Sequence, residues 1–238
     1  MRLLFLVLDL WFAQVPISPG VGAFLDELAL KRQGMYVIRG EFTMENITPD
    51  ETRQSEGRFL YVRPRRLVVE TIGPGKEEAD LVILVDNRRV FEYDAELEQL
   101  QIYDRGAQGD VEALFAAFED NPEGLTSAYT LERADPGEDP HESAKGLVLS
   151  PKSSESLFER VELYVRAEDF LPSKLHIVND PESEVVLRFR GIRVNEPIKP
   201  KETQIGVPGG TTVVENEERV YKVRGTVKYF PEPLDVPI

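Results

Sequence analysis

The 238-residue chain contains no cysteine, and that absence excludes disulfides, thiolate metal sites, a cysteine nucleophile and an N-terminal lipidated cysteine. Histidine is nearly absent as well. His141 lies in an acidic stretch and His176 in an apolar one, and no HExxH, EF-hand or CxxC spacing surrounds either. Basic residues are outnumbered 28 to 43, and the net charge of −15 argues against a nucleic-acid backbone as partner. No apolar run approaches the roughly 20 residues needed to span a bilayer. Ser150, Ser153, Ser154 and Ser156 fall in a polar turn without a G-x-S-x-G elbow. Neither Gly73-Pro74-Gly75 nor Gly209-Gly210 opens a helix that would cradle a phosphate. These absences leave no catalytic constellation, so the sequence predicts a non-enzyme with no cofactor and no metal.

What is present is a globular composition, 41% apolar, enough for one large β domain or two smaller ones and too much for wholesale disorder. Met1-Arg2 followed by Leu3 to Ala13 reads as a secretory signal over residues 1–20, cleaved between 13 and 23; a buried N-terminal strand is the alternative. Phe24, Leu25, Leu28 and Leu30 recur at near-helical spacing and predict a helix from Val21 to Arg32. Strands are then expected at Tyr36 to Ile47, Gly57 to Arg63, Arg66 to Ile72, Leu81 to Val85, Arg89 to Tyr93 and Leu100 to Tyr103. Leu81 to Val85 is apolar at every position, which predicts cover on both faces. Asp110 to Asp120 reads as a second helix with Leu114, Phe115 and Phe118 on one face, ending at Asn121-Pro122-Glu123-Gly124. Five more strands follow between Ser127 and Val194, around an acidic loop from Ala134 to Ser143.

Tyr221, Val223, Val227 and Tyr229 alternate with Lys222, Arg224, Thr226 and Lys228, predicting one half-buried strand with a basic outer face. That strand would extend the sheet, blunt its edge with lysines, or present basic charge to a partner or an anionic lipid surface. The fold class expected is α+β, mainly antiparallel β, as an incomplete, half-open β-barrel with helices over its concave face. The division expected is a signal at 1–20, a half-barrel domain at 21–215 and an extension with one extra strand at 216–238.

Several segments together resemble the LolA family, the periplasmic carriers of outer-membrane lipoproteins. The predicted helix running into Arg39 to Thr43 (RGEFT) is similar to the family's opening helix and strand, with Met44 where glutamine is usual. Glu56 to Pro64 (EGRFLYVRP) resembles its strand ending in a basic residue and proline. Val85 to Asp94 (VDNRRVFEYD) with Glu98-Gln99-Leu100 resembles its D-G-x-x-(W/Y)-x-Y block, with Asn87 for the usual glycine and Ala95 for the usual proline. Leu147 to Pro151, Arg188 to Asn195, and Val207 to Gly210 with Val213 resemble its closing strands. The resemblance spans residues 22 to 215.

The family resemblance implies an apolar cavity that receives the acyl chains of lipoproteins and a monomeric shuttle located in the periplasm. It implies loading from an inner-membrane ABC-type exporter, delivery to an outer-membrane acceptor where one exists, and no chemistry. Under this reading the ligand-facing residues are Phe42, Phe59, Tyr61, Leu84, Phe91, Leu114, Phe115 and Phe118, and Arg63 closes the lid. Ordinary core packing would give those apolar residues the same pattern. Two other readings stay open: a carrier of another lipid or glycolipid on the same fold, and a sensory or scaffold module that binds a protein segment.

Overall fold

The computed structural model describes residues 19–64, 66–104, 114–118, 121–134, 144–154, 156, 158–216 and 218–229. Residues 1–18 of the expected signal, the acidic loop from 135 to 143 with His141, and the flanks of the second predicted helix lie outside them, while residues 19 and 20, expected within the signal, open the first helix.

Helix α1 (Pro19–Arg32) buries Val21, Phe24, Leu25 and Leu28, whose three- and four-residue spacing makes a single stripe. Leu30 is not part of that stripe: two residues beyond Leu28 it points about 200° away, and it is 68% exposed. The helix ends in Lys31 and Arg32, cations that suit its negative end, and Gly34 follows in the left-handed region at φ 81°.

The strands β1 (Val37–Ile47), β2 (Thr52–Val62), β3 (Arg66–Ile72), β4 (Leu81–Val85), β5 (Arg89–Asp94) and β6 (Gln99–Asp104) form one antiparallel meander. A helical turn at 114–116 and helix α2 (Pro122–Ala128) come next. A second meander follows: β7 (Tyr129–Ala134), β8 (Ala144–Pro151), β9 (Arg160–Arg166), β10 (Pro172–Asp180) and β11 (Ser183–Val194). β1 pairs with β11, which fuses the two meanders.

The chain then adds a 3₁₀ turn (Pro200–Thr203), β12 (Ile205–Val207), β13 (Thr212–Glu215), β14 (Arg219–Lys222) and β15 (Val227–Tyr229). Among the described residues the main sheet runs β14-β13-β6-β5-β4-β3-β2-β1-β11-β10-β9-β8-β7. Its two end strands do not pair with each other, so the barrel stays open. β13 is the parallel member, beside β6, while β12 and β15 form a separate ribbon.

Both faces of the first meander are apolar and both are covered. Ile38, Phe42, Phe59, Tyr61, Leu67, Val69, Val85 and Val90 face α1, α2 and the 114–118 turn. Leu60, Val62, Val68, Leu84, Phe91, Leu100 and Ile102 face the other way, beneath Ile205, Val207, Val213 and Val223. The C-terminal segment is therefore a second layer on the outer face.

Two further expectations differ from the structure. Asn121 starts a helix instead of ending one: its side chain accepts a hydrogen bond from the Glu123 N–H and Pro122 occupies the first helical position. The expected strand through Tyr221 and Tyr229 is two strands, broken at Val223–Thr226. There the chain must clear another turn, for a Cβ on Gly209 would lie 3.1 Å from the Gly225 Cα. The alternation itself holds across the break, since Tyr221, Val223, Val227 and Tyr229 all pack on the outer-face core.

Candidate functional site

The inner face of β1 and β2 is paved with aromatic rings laid over glycines. A Cβ on Gly40 would lie 3.0 Å from the Phe59 ring, and one on Gly57 would collide with Phe42. Without those Cβ atoms the rings lie flat against the sheet and leave room for a covering element. That element is the turn at 114–118. Phe118 stacks on Tyr61 with centroids 5.3 Å apart and planes at 16°, and it contacts Phe59 at 5.0 Å and Phe189 at 5.9 Å. Phe115 meets the edge of Tyr61 at 6.2 Å, and half-buried Leu114 packs on the same core.

Of the predicted ligand-facing residues, Phe42, Phe59, Tyr61, Leu114, Phe115 and Phe118 come together on this face. Leu84 and Phe91 do not. The register aligns Leu60 with Val68, Val68 with Leu84 and Leu84 with Phe91, so these four residues form a row on the outer face. Phe91 instead packs beside Tyr229, at 6.1 Å. Both side chains belong to the outer-face core, apart from the other six.

Arg63 lies at the end of β2. Its Nη2 donates at 2.9 Å to the carbonyl of Arg32, the last residue of α1, which also accepts from the Met35 N–H at 3.0 Å. Its backbone N–H donates to the Tyr36 carbonyl at 2.9 Å. Arg63 thus ties the sheet to α1, one of the elements that cover the inner face.

The same end of α1 is held from the other meander. Arg32 is fully buried and donates from Nε and Nη2 to the Phe170 carbonyl at 2.9 and 2.7 Å. Lys31 donates to the Glu168 carbonyl at 3.0 Å. Further along, Lys145 pairs with Glu27 at 2.6 Å and sits 4.5 Å from the Phe170 ring, which itself contacts Phe24 at 5.4 Å. Burial lowers the Arg133 pKa from its ordinary value against the opposing pull of Glu27, and its guanidinium lies over Phe24 at 4.9 Å.

Arg32, Phe170 and Phe189 are not among the residues predicted for this site. In the sequence Arg32 is only the last residue of the predicted helix, and the Phe170 backbone turn at φ 57° has no local glycine to announce it.

Towards β5 and β6 the inner face becomes polar. The Tyr103 hydroxyl donates to Glu92 at 2.7 Å, and burial together with that bond pushes the phenol well above its ordinary pKa. Tyr103 therefore stays neutral and keeps donating across the physiological range. His176 lies on the outer face of β10, with Nε2 2.9 Å from Glu184 and Nδ1 3.4 Å from Glu162. Among the described residues no group of three His, Cys, Asp or Glu side chains is arranged to hold a metal ion, and no helix is long and apolar enough to cross a membrane.

A family model described as outer membrane lipoprotein carrier protein LolA matches residues 34–205. Among solved structures, an uncharacterized conserved protein from Thermus thermophilus is similar at 15% identity, with a TM-score of 0.52, over 82% of this chain and 99% of that one. A LolA superfamily protein from Nitrosomonas europaea aligns at 12% identity and a TM-score of 0.41, over 74% of this chain and 94% of that one. MucB of Pseudomonas aeruginosa, solved in complex with MucA, aligns at 15% identity and a TM-score of 0.40, over 76% of this chain and 59% of that one. No curated protein matches the sequence. The likeness to the Thermus protein is one of fold.

Proposed function

The chain belongs to the LolA family, and on that premise we propose that it carries acylated lipoproteins through the periplasm, holding their acyl chains against the inner face. An inner-membrane ABC-type exporter loads it, and the outer membrane receives the cargo, through an acceptor protein where one exists. One observation carries the reading: the Phe115–Phe118 turn is laid by ring contacts onto Phe59, Tyr61 and Phe189. A cover held this way has an apolar surface that acyl chains can replace.

Magnitudes favour the exchange. Three acyl chains hold on the order of 45 methylenes, worth roughly 35 kcal/mol on leaving water. Lifting two phenylalanines off the sheet forfeits about 3 to 6 kcal/mol. Cargo therefore displaces the turn readily once its chains face water, and release needs a membrane or acceptor that takes the chains in turn. The switch has two states biased by the ligand. Arg63 and Arg32 hold α1 against both meanders.

Native mass spectrometry of the protein with a synthetic triacylated lipopeptide tests this. A one-to-one complex that survives with the triacylated form and fails with the deacylated peptide is expected. Equal binding of both peptides would assign the fold to peptide capture, and displacement of a co-purified free lipid in place of lipopeptide uptake would assign it to another amphiphile.

A further inference from the structure

On the outer face, a groove of about 530 Å³ opens between the exposed side of β1 to β3 and the 3₁₀ turn Pro200–Thr203. Its volume falls in the range of small-ligand sites. Leu60 and Val68, both nearly buried, contribute an apolar floor. The walls carry five cations, Arg39, Arg58, Arg193, Lys199 and Lys201, in a chain whose net charge is −15.

The three wall carboxylates are already engaged, and neighbouring Glu196 pairs with Arg193 and with Arg39, each at 3.7 Å. Glu202 accepts from Arg39 at 2.9 Å, Glu70 pairs with Arg58, and Glu41 pairs with Arg190 at 3.3 Å. Lys199 and Lys201 are exposed at the rim, and among the described residues no salt bridge engages either ammonium. The basic character continues into the layer above. Residues 193–228 hold seven basic and five acidic side chains, against the strongly acidic remainder of the chain. Exposed Lys228 stands opposite Gly206 in the β12–β15 ribbon that follows the turn.

We propose that this groove seats the phosphate-bearing headgroup of an anionic phospholipid and docks the outer face on a membrane surface. The headgroup phosphate meets Lys199 and Lys201, while its glycerol lies over Leu60 and Val68. An acidic peptide fits the groove less well. β1, β2 and β3 are interior strands paired on both sides, so no free strand edge is offered to an extended backbone. The acidic bulk of the molecule does not prevent docking, because salt screens charges beyond about 8 Å at physiological ionic strength. Lysines near an anionic surface then act locally.

The inference rests on the carrier reading for its purpose, since a shuttle must visit membranes, but it uses separate residues. The test is co-sedimentation of the whole protein with vesicles of phosphatidylcholine alone or with one-fifth phosphatidylglycerol. The wild type should pellet with the anionic vesicles and not with the neutral ones. The double variant Lys199→Glu/Lys201→Glu should lose that binding roughly tenfold or more, with its thermal midpoint unchanged because both side chains are exposed.

Equal binding to both vesicle types, or an unaffected double variant, overturns the proposal. So does displacement by inorganic phosphate or by polyglutamate beyond that given by chloride at equal ionic strength, which would make the groove a free-anion or acidic-peptide site. Lipopeptide capture is measured on the same preparations. Capture without docking removes this inference alone, and docking without capture removes the carrier reading alone.

Discussion

Gly57 lies beneath the Phe42 ring, and an added Cβ would strike both that ring and the Glu70 carbonyl of the neighbouring strand. The second obstacle is backbone and cannot swing aside. Gly57→Ala is expected to lower stability by about 1–3 kcal/mol, a fall of roughly 2–12 °C in thermal midpoint for a chain of this size. A melt within about 1 °C of wild type would show that the sheet yields there. Arg63 carries the second residue-scale prediction. Arg63→Leu removes the side-chain donor to the Arg32 carbonyl at 2.9 Å and leaves that carbonyl the Met35 N–H at 3.0 Å. The variant is expected to fold and to bind lipopeptide, but to hand it to acceptor liposomes several-fold more slowly. Transfer at the wild-type rate would detach Arg63 from the lid.

Legibility at this scale follows parity. Phe59 and Tyr61 can be placed on one face because Leu60 and Val62 alternate with them. Leu84 sits in a strand apolar at every position, where alternation carries no signal. Phe91 shares its row, and only the strand register shows which face they occupy.

Among the elements, the strands are the most legible, since β3, β4 and β9 have the bounds that their apolar runs and flanking turns suggest. α2 escapes a sequence reading that takes Asn121-Pro122 as an end, although an asparagine cap followed by proline is also how a helix begins. The 3₁₀ turn escapes it because Pro200 and Lys201 carry no apolar pattern at all.

That turn is tied down by Glu202, which accepts from the Lys199 N–H at 2.7 Å and from Arg39 at 2.9 Å. The backbone hydrogen bond from Lys199, with Arg39 adding to it, holds the Glu202 carboxyl below its ordinary pKa. A carboxyl whose pKa is lower folded than unfolded contributes stability that is present above its unfolded pKa. That stability is lost as pH falls through the folded value. Hydrogen-exchange protection in residues 199–207, taken relative to the intrinsic rate at each pH, is therefore expected to fall below about pH 4, ahead of that of the amides of β9 and β10. A uniform fall across both regions would count against a local role for Glu202.

For the whole molecule, the decisive arrangement is one open sheet with different cover on its two faces. Helices and an aromatic turn lie on the inner side, and the C-terminal layer lies on the outer side. The mainly antiparallel, half-open architecture is legible from strand spacing and family blocks. The outer layer is not, because β12 to β15 are short and β13 pairs with a strand more than a hundred residues away in sequence.

This division gives the carrier reading its sharpest consequence: cargo belongs on one face only. A photo-reactive benzoylphenylalanine placed at Phe118, or at exposed Arg58 on the outer face, tests it in the presence of a triacylated lipopeptide under ultraviolet light. The account predicts a strong cross-link from position 118 and none from position 58. A cross-link from position 58 with none from 118 would contradict it.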